Sequence, residues 1–206
     1  MQTADGPGPR ARPKQERSQQ TYELLLNVAG TLLAEVGIDR ISTNMICARA
    51  GMTPPALYRY FDDKYAVLEA LGHRLMARQN EALEQWLARY EPGGIESLRG
   101  NMEELLRNTA AITASEPGAV WILRALHASP RLIHVRVESH RYVTNRLTDA
   151  YARHLPHMSR EQLWRRLRVL VEVGFAIDEM LQEEDRVDPD MAFRNVVRML
   201  QVDLSD

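Results

Sequence analysis

An all-α chain is predicted by three observations. Apolar residues recur at helical spacing along most of the length, no stretch alternates convincingly with period two, and glycine, proline and capping residues separate the runs. No internal repeat is evident. With 206 residues, 45 % of them hydrophobic, the chain can bury one large core or two small ones, and two helical domains fit best. The expected division is a flexible arm over 1–13, a helix-turn-helix domain over 14–66 and a helical bundle over 67–206.

A first helix is expected from about Lys14 to Glu35, with Leu25, Val28, Leu32 and Val36 on one face and Gly37 ending it. The Pro/Gly-rich run before Arg17 reads as an arm that forms no helix. From Ser42 to Lys64 the spacing fits two short helices around Gly51. Ser42 or Thr43 caps the first, which turns Ile46 and Ala50 inward and Arg49 outward. Thr53 can cap the second, where Pro54 and Pro55 are tolerated because first-turn amides have no intrahelical partner. Ala56, Leu57 and Tyr60 then pack inward, leaving Tyr58 and Arg59 on the face that a helix-turn-helix offers to the major groove. Asp62 and Asp63 open a long helix to about Tyr90, with Leu68, Leu75, Leu83 and Trp86 on one stripe.

Glu91-Pro92-Gly93-Gly94 is the clearest break, followed by a helix from Ile95 to about Ser115 that Glu116-Pro117-Gly118 stops. Ala119–Ala128 is apolar nearly all round, as a short buried helix is. Ser129-Pro130 starts a helix reaching Leu155. Ser159 with Gln162 three residues later has capping-box form for a helix to about Glu184, and Asp188-Pro189 begins a last helix ending near Val202.

A net charge of −2 means that any attraction to nucleic acid must be local, and Arg10, Arg12, Lys14 and Arg17 supply one basic cluster. The single cysteine, Cys47, excludes an intramolecular disulfide and a cysteine-based zinc cluster, and it reads as a packing residue. With no signal peptide or long apolar run, a cytoplasmic protein without membrane association is expected. His127, His134 and His140 show no recognisable metal spacing with nearby acids, so neither metal nor cofactor is expected. No phosphate-cradling glycine loop, nucleophile elbow or H-E-x-x-H occurs, and no catalytic residue is assigned.

Leu57-Tyr58-Arg59-Tyr60-Phe61 followed by Lys64, in register with Gly51, closely resembles the N-terminal domain of the TetR family of bacterial transcriptional regulators. The likeness runs from about Arg17 to Leu71. Pro54-Pro55 departs from the basic residue and glycine usual there. The resemblance implies that Thr43, Tyr58 and Lys64 meet DNA phosphates, which positions the protein without reading sequence. Base edges then fall to Asn44, Thr53, Pro54, Pro55 and Arg59, with methyl and ring surfaces facing thymine methyls and Arg59 reaching guanine.

A palindromic operator needs a homodimer, because two recognition helices must stand about 34 Å apart. The last two helices are the interface candidates: Leu163, Leu167, Leu170, Gly174, Ile177 and Leu181 form one stripe, Val169, Val173 and Met180 another, and Phe193, Val197 and Leu200 add the final helix's share. Only one stripe of the pair can serve the chain's own core, and in the family the corresponding helices pair with their copies into a four-helix bundle. The resemblance also implies a small-molecule effector in the C-terminal domain. Met102, Leu106, Trp121, His127, Tyr142 and Phe175 are its candidate wall. A ligand-responsive repressor on double-stranded DNA is the expected function; the alternatives are an effector-independent DNA-binding protein and an all-helical enzyme.

Overall fold

The computed structural model describes residues 12–201, and the expected arm falls almost entirely outside them. Ten α-helices follow one another among the described residues: α1 (Arg12–Arg40), α2 (Thr43–Ala50), α3 (Pro54–Leu57), α4 (Lys64–Tyr90), α5 (Gly94–Gly100), α6 (Met102–Ser115), α7 (Ala119–Ala128), α8 (Ile133–Ala152), α9 (Arg160–Glu183) and α10 (Pro189–Gln201). A 3-10 turn at Glu91–Gly93 joins α4 to α5.

α1 starts earlier than expected, at Arg12, because Pro13 in the first turn forfeits no intrahelical hydrogen bond. At its far end Gly37 takes φ 74°, which breaks the helix, and Ile38 to Arg40 continue as a separate turn. Local capping sets the next boundaries. The Ser42 hydroxyl accepts from the Met45 amide at 3.3 Å, Gly51 closes α2 at φ 64°, and Asp63 accepts from the Ala66 amide at 2.9 Å. α9 carries the full capping box, with Gln162 N–H donating to the Ser159 hydroxyl at 3.2 Å and Ser159 N–H to the Gln162 side chain at 3.0 Å.

Two boundaries differ from the sequence expectation. The single helix over Ile95–Ser115 is two, because Gly100 weakens the path and Asn101 folds its side-chain amide back on the Ser97 carbonyl at 2.8 Å. The Trp86 indole then donates to the Asn101 carbonyl at 2.9 Å, fixing the corner. Ser129-Pro130 starts a turn instead of a helix: the Leu132 and Ile133 amides both bond the Ser129 carbonyl, and α8 begins at Ile133.

Packing divides the interior into two clusters. The proximal one joins α1, α2, α3 and the first half of α4 to α7 and the start of α8, around Leu25, Leu33, Leu57, Leu71 and Leu126. Tyr22 stacks on Phe61 at 5.2 Å and so ties the end of the recognition segment to α1. The distal cluster joins the end of α4 to α5, α6, α8 and α9 around Leu83, Leu98, Leu147, Tyr151 and Leu163. Each fully buried leucine stabilises by roughly 1.5–3 kcal/mol, so the two clusters rather than the helices' own propensities hold the chain together.

Polar links cross between the regions. Glu116, between α6 and α7, has a side chain only 3 % exposed; it takes Arg74 on one oxygen and Arg78 on the other at 2.7 Å. Arg74 also reaches Asn27 of α1 at 2.7 Å, and Arg131 holds Asp63 at 2.9 Å. Thus one buried carboxylate fastens α4 to the α6–α7 loop, and Arg74 carries the link on to Asn27 of α1.

Candidate nucleic-acid interface and effector cavity

The short second helix of the motif is the local consequence of its prolines. Pro54 and Pro55 have no N–H to offer, the Ala56 amide bonds the Thr53 carbonyl at 3.0 Å, and so the Thr53 hydroxyl caps nothing and stays exposed. Leu57 is fully buried and anchors the turn. Asn44, Thr53, Pro54, Pro55, Tyr58 and Arg59 are all exposed around it. The Thr43 and Tyr58 hydroxyls lie 3.2 Å apart, with the phenol ring 49 % exposed. The motif therefore presents two hydroxyls side by side; one spends its only proton on the other, so the pair keeps one O–H donor for a phosphate oxygen.

Lys64 is half-buried at the first position of α4, where its ammonium donates to the Ile38 carbonyl at 3.3 Å. It thereby caps the turn that follows the Gly37 break, a structural task invisible in sequence. Two of its three donors remain. Arg49 faces outward but is taken by Glu35 in a two-point contact at 2.8 and 3.0 Å, which pins α2 to α1. Cys47 is buried, and burial pushes its thiol pKa up, away from the reactive thiolate.

The structure redistributes the expected effector wall. Met102, Leu106 and Phe175 line one cavity of about 80 Å³ together with Val143, Leu147, Tyr151, Leu170 and Arg99. Trp121, His127 and Tyr142 stand elsewhere. Trp121 packs beneath Gly37 with Arg124 over its ring at 4.9 Å, His127 faces Glu179 at 3.3 Å, and Tyr142 is exposed and donates to Glu84 at 2.7 Å. Helical spacing puts them on suitable faces, but those faces meet other neighbours. Arg99 and Tyr151 escape sequence reasoning because a single arginine at a helix end and a tyrosine among apolar residues carry no periodic signal.

Beside this cavity, the His140 ring stacks on Phe175 with centroids 4.0 Å apart, and its Nδ1 lies 3.0 Å from Glu172. Burial lowers the His140 pKa to about 4 against the pull of Glu172, so the ring is neutral at pH 7 and donates from Nδ1. Asp178 is buried where α9 meets α6, accepting from the Thr113 hydroxyl at 2.6 Å, and burial raises its pKa.

Although the sequence shows no metal spacing around them, His127, His134 and His140 face Glu179, Glu69 and Glu172 respectively, across helix pairs distant in sequence. Glu69, His73 and His134 bring three donor atoms within 4.8 Å of one another, a set of the kind a divalent transition metal accepts.

The expected interface residues take different places within the single chain. Leu163, Leu167 and Phe193 are buried within the chain, and Leu170, Gly174 and Val197 line the cavity. Ile177 and Leu181 are half-buried, while the Leu200 side chain lies outside the described residues. The first stripe of α9 faces α8 and α6. The other stripe points outward, with Val169 62 % exposed beside Val173, Ala176 and Met180. Among the described residues no helix is long and apolar enough to cross a membrane.

The described residues form an all-helical chain with a capped helix-turn-helix at its head and a cavity-bearing helical body. The family model for bacterial regulatory proteins of the tetR family matches residues 25–71. A TetR-family transcriptional regulator from Streptomyces coelicolor superposes with a TM-score of 0.61 at 25 % identity, over 88 % of this chain and 96 % of that one. SmeT in complex with triclosan superposes with a TM-score of 0.62 at 23 % identity, over 89 % and 91 %, a likeness of fold. The nucleoid occlusion factor SlmA of Haemophilus ducreyi is 40 % identical over 60 residues, which are 29 % of this chain and 28 % of that protein. An HTH-type transcriptional regulator of Mycobacterium tuberculosis is 32 % identical over 78 residues, or 38 % and 40 % of the two chains. The chain thus spans well under half the length of the curated relatives it matches. The match to the tetR-family model covers the head, residues 25–71, and the likeness to the solved structures extends the shared fold over most of the chain.

Proposed function

We propose that this protein is a homodimeric transcriptional repressor of the cytoplasm that binds a palindromic operator through α2 and α3 and releases it when a small molecule enters the distal cavity. The observation that carries the reading is the exposed surface of Asn44, Thr53, Pro54, Pro55, Tyr58 and Arg59, with half-buried Thr43 beside Tyr58, around a fully buried Leu57. Thr43 and Tyr58 supply paired hydroxyls for the backbone, and Lys64 spends a remaining donor on another phosphate. The proline rings and the Thr53 methyl favour thymine-containing edges, with Arg59 on guanine. No catalytic role is assigned.

A partner copy docks on the outward stripe of α9, where Val169 and Ala176 are exposed and Val173 and Met180 half-buried, a surface that a two-fold bundle covers. α4 is the connecting rod. Its 27 residues span about 40 Å, from the Asp63 cap at the head to Leu83, Trp86 and Leu87 in the distal cluster. An effector releases DNA only by binding the released spacing more tightly than the bound one.

Selection of bound fragments from random DNA, followed by anisotropy titration at several salt concentrations, tests the reading. A palindrome bound by two chains, with a steep salt dependence, is expected. A chain that stays monomeric at micromolar concentration and prefers no palindrome over bulk duplex overturns it.

A further inference from the structure

The geometry points to an apolar molecule ending in a carboxylate, such as a medium-chain fatty acid, held by its head group on Arg99 in the distal cavity, an inference that rests on reading that cavity as the effector site. The wall is almost wholly hydrocarbon: Met102, Leu106, Leu147, Leu170 and Phe175 give a neutral tail its surroundings. Arg99 also lines it, and its Nε and Nη2 are buried without any hydrogen-bond partner. Other half-buried arginines are not left so: Arg74 meets Glu116, Arg107 meets Glu103, Arg136 and Arg168 meet Glu172, and Arg146 meets Glu84. Arg99 meets no carboxylate among the described residues.

A lysine in that position could shed its proton; a guanidinium cannot, so its charge stays in an apolar setting and is costly until an anion arrives. The free pair, Nε and Nη2, is one edge of the fork that grips the two oxygens of a carboxylate in parallel. The guanidinium N–H groups only donate, so an alcohol can accept from them but brings no counter-charge and leaves its own proton without an acceptor there, while an ammonium offers no acceptor at all and is repelled. Tyr151 lines the same cavity, and although burial raises its pKa, the Arg99 charge is close enough to oppose the rise. Its phenol adds a neutral donor to the head-group end. A ligand carboxylate would thus supply the counter-charge that the chain itself withholds.

Calorimetric titration of the full chain with decanoate, decanol and decyltrimethylammonium separates head group from tail. Decanoate is expected to bind at least about tenfold more tightly than decanol, and the ammonium to bind least, as a charge-assisted fork contact predicts. Arg99→Met should erase the preference for decanoate while keeping decanol affinity, and Arg99→Lys should restore part of it. Circular dichroism and melting of each variant establish that it is folded; the head-group series on the unaltered chain decides the matter even if Arg99→Met is not. Equal affinity for decanoate and decanol, or a preference that survives in folded Arg99→Met, overturns the inference. Anisotropy on the selected operator keeps the two readings apart. Decanoate that binds through Arg99 but leaves operator affinity unchanged upholds the ligand chemistry and removes effector release, whereas loss of the head-group preference with palindrome binding intact removes the ligand chemistry alone.

Discussion

The proximal and distal halves are built from the same helices by different means. Around α1 to α3 and α7 the core is mostly aliphatic with Phe61 buried beside Tyr22, and the helix ends of the motif are closed by Ser42, Gly51 and Asp63. Its one buried side-chain nitrogen without a partner, among the described residues, is Arg74 Nε, on a guanidinium already bound to Glu116 and Asn27. The distal half holds a cavity instead, and there or at its border Arg99, His154, Arg136, Gln79 and Asp178 each leave a buried polar atom unpaired. A surface that must meet a rigid duplex benefits from a scaffold with one arrangement. A body that must admit a ligand needs room and polar groups whose partners are not yet present.

The largest test of the comparison strikes the clamp between the halves. Glu116→Ala strands Arg74 and Arg78 beside a buried gap, and we expect a loss of about 3–5 kcal/mol in urea unfolding. A loss under about 1 kcal/mol would show that the clamp is dispensable and the halves are held by packing alone.

Next comes acid. His140 has an ordinary pKa of 6.5 when unfolded and about 4 when folded, so between those values the unfolded chain takes a proton that the folded one refuses. Stability should therefore fall as pH drops from 6.5 to 4, by up to about 3 kcal/mol, starting in the distal half. His140→Phe should flatten that slope in melts collected across the window; an unchanged slope would assign the acid sensitivity elsewhere.

Smaller still is the turn. Gly51→Ala places a Cβ in open space but at φ 64°, so only backbone strain opposes it, about 1 kcal/mol, with Gly51→Asn costing less. If alanine were neutral, the motif would be looser than its caps suggest.

Smallest in energy and most specific is the interface itself. Tyr58→Ala should weaken operator binding by about 1 kcal/mol while the melting temperature stays put, since the ring is half exposed. Lys64→Ala should lower both, because the same ammonium holds the Ile38 carbonyl. Equal effects of the two substitutions on stability would contradict the split between a contact residue and a cap.

What could be read directly was local chemistry. The α7 bounds, the Asp63 start of α4, the Ser159 capping box and the Gly51 turn each depend on a few neighbouring residues, so periodicity and capping rules reached them. The α5–α6 corner was not legible. It depends on Trp86, fifteen residues from Asn101, whose indole stabilises a carbonyl that a straight helix would have used.

Sequence alone determined the helical class, the head and the two apolar stripes of α9, because these follow from spacing along a single element. Tertiary structure decided which stripe is spent inside, that Trp121 and Tyr142 leave the cavity, and that Arg99 enters it. The reason is that helical periodicity ranks the faces of one helix but carries no record of the partner each face will meet; only the packing of α9 against α8 and α6 supplies that record.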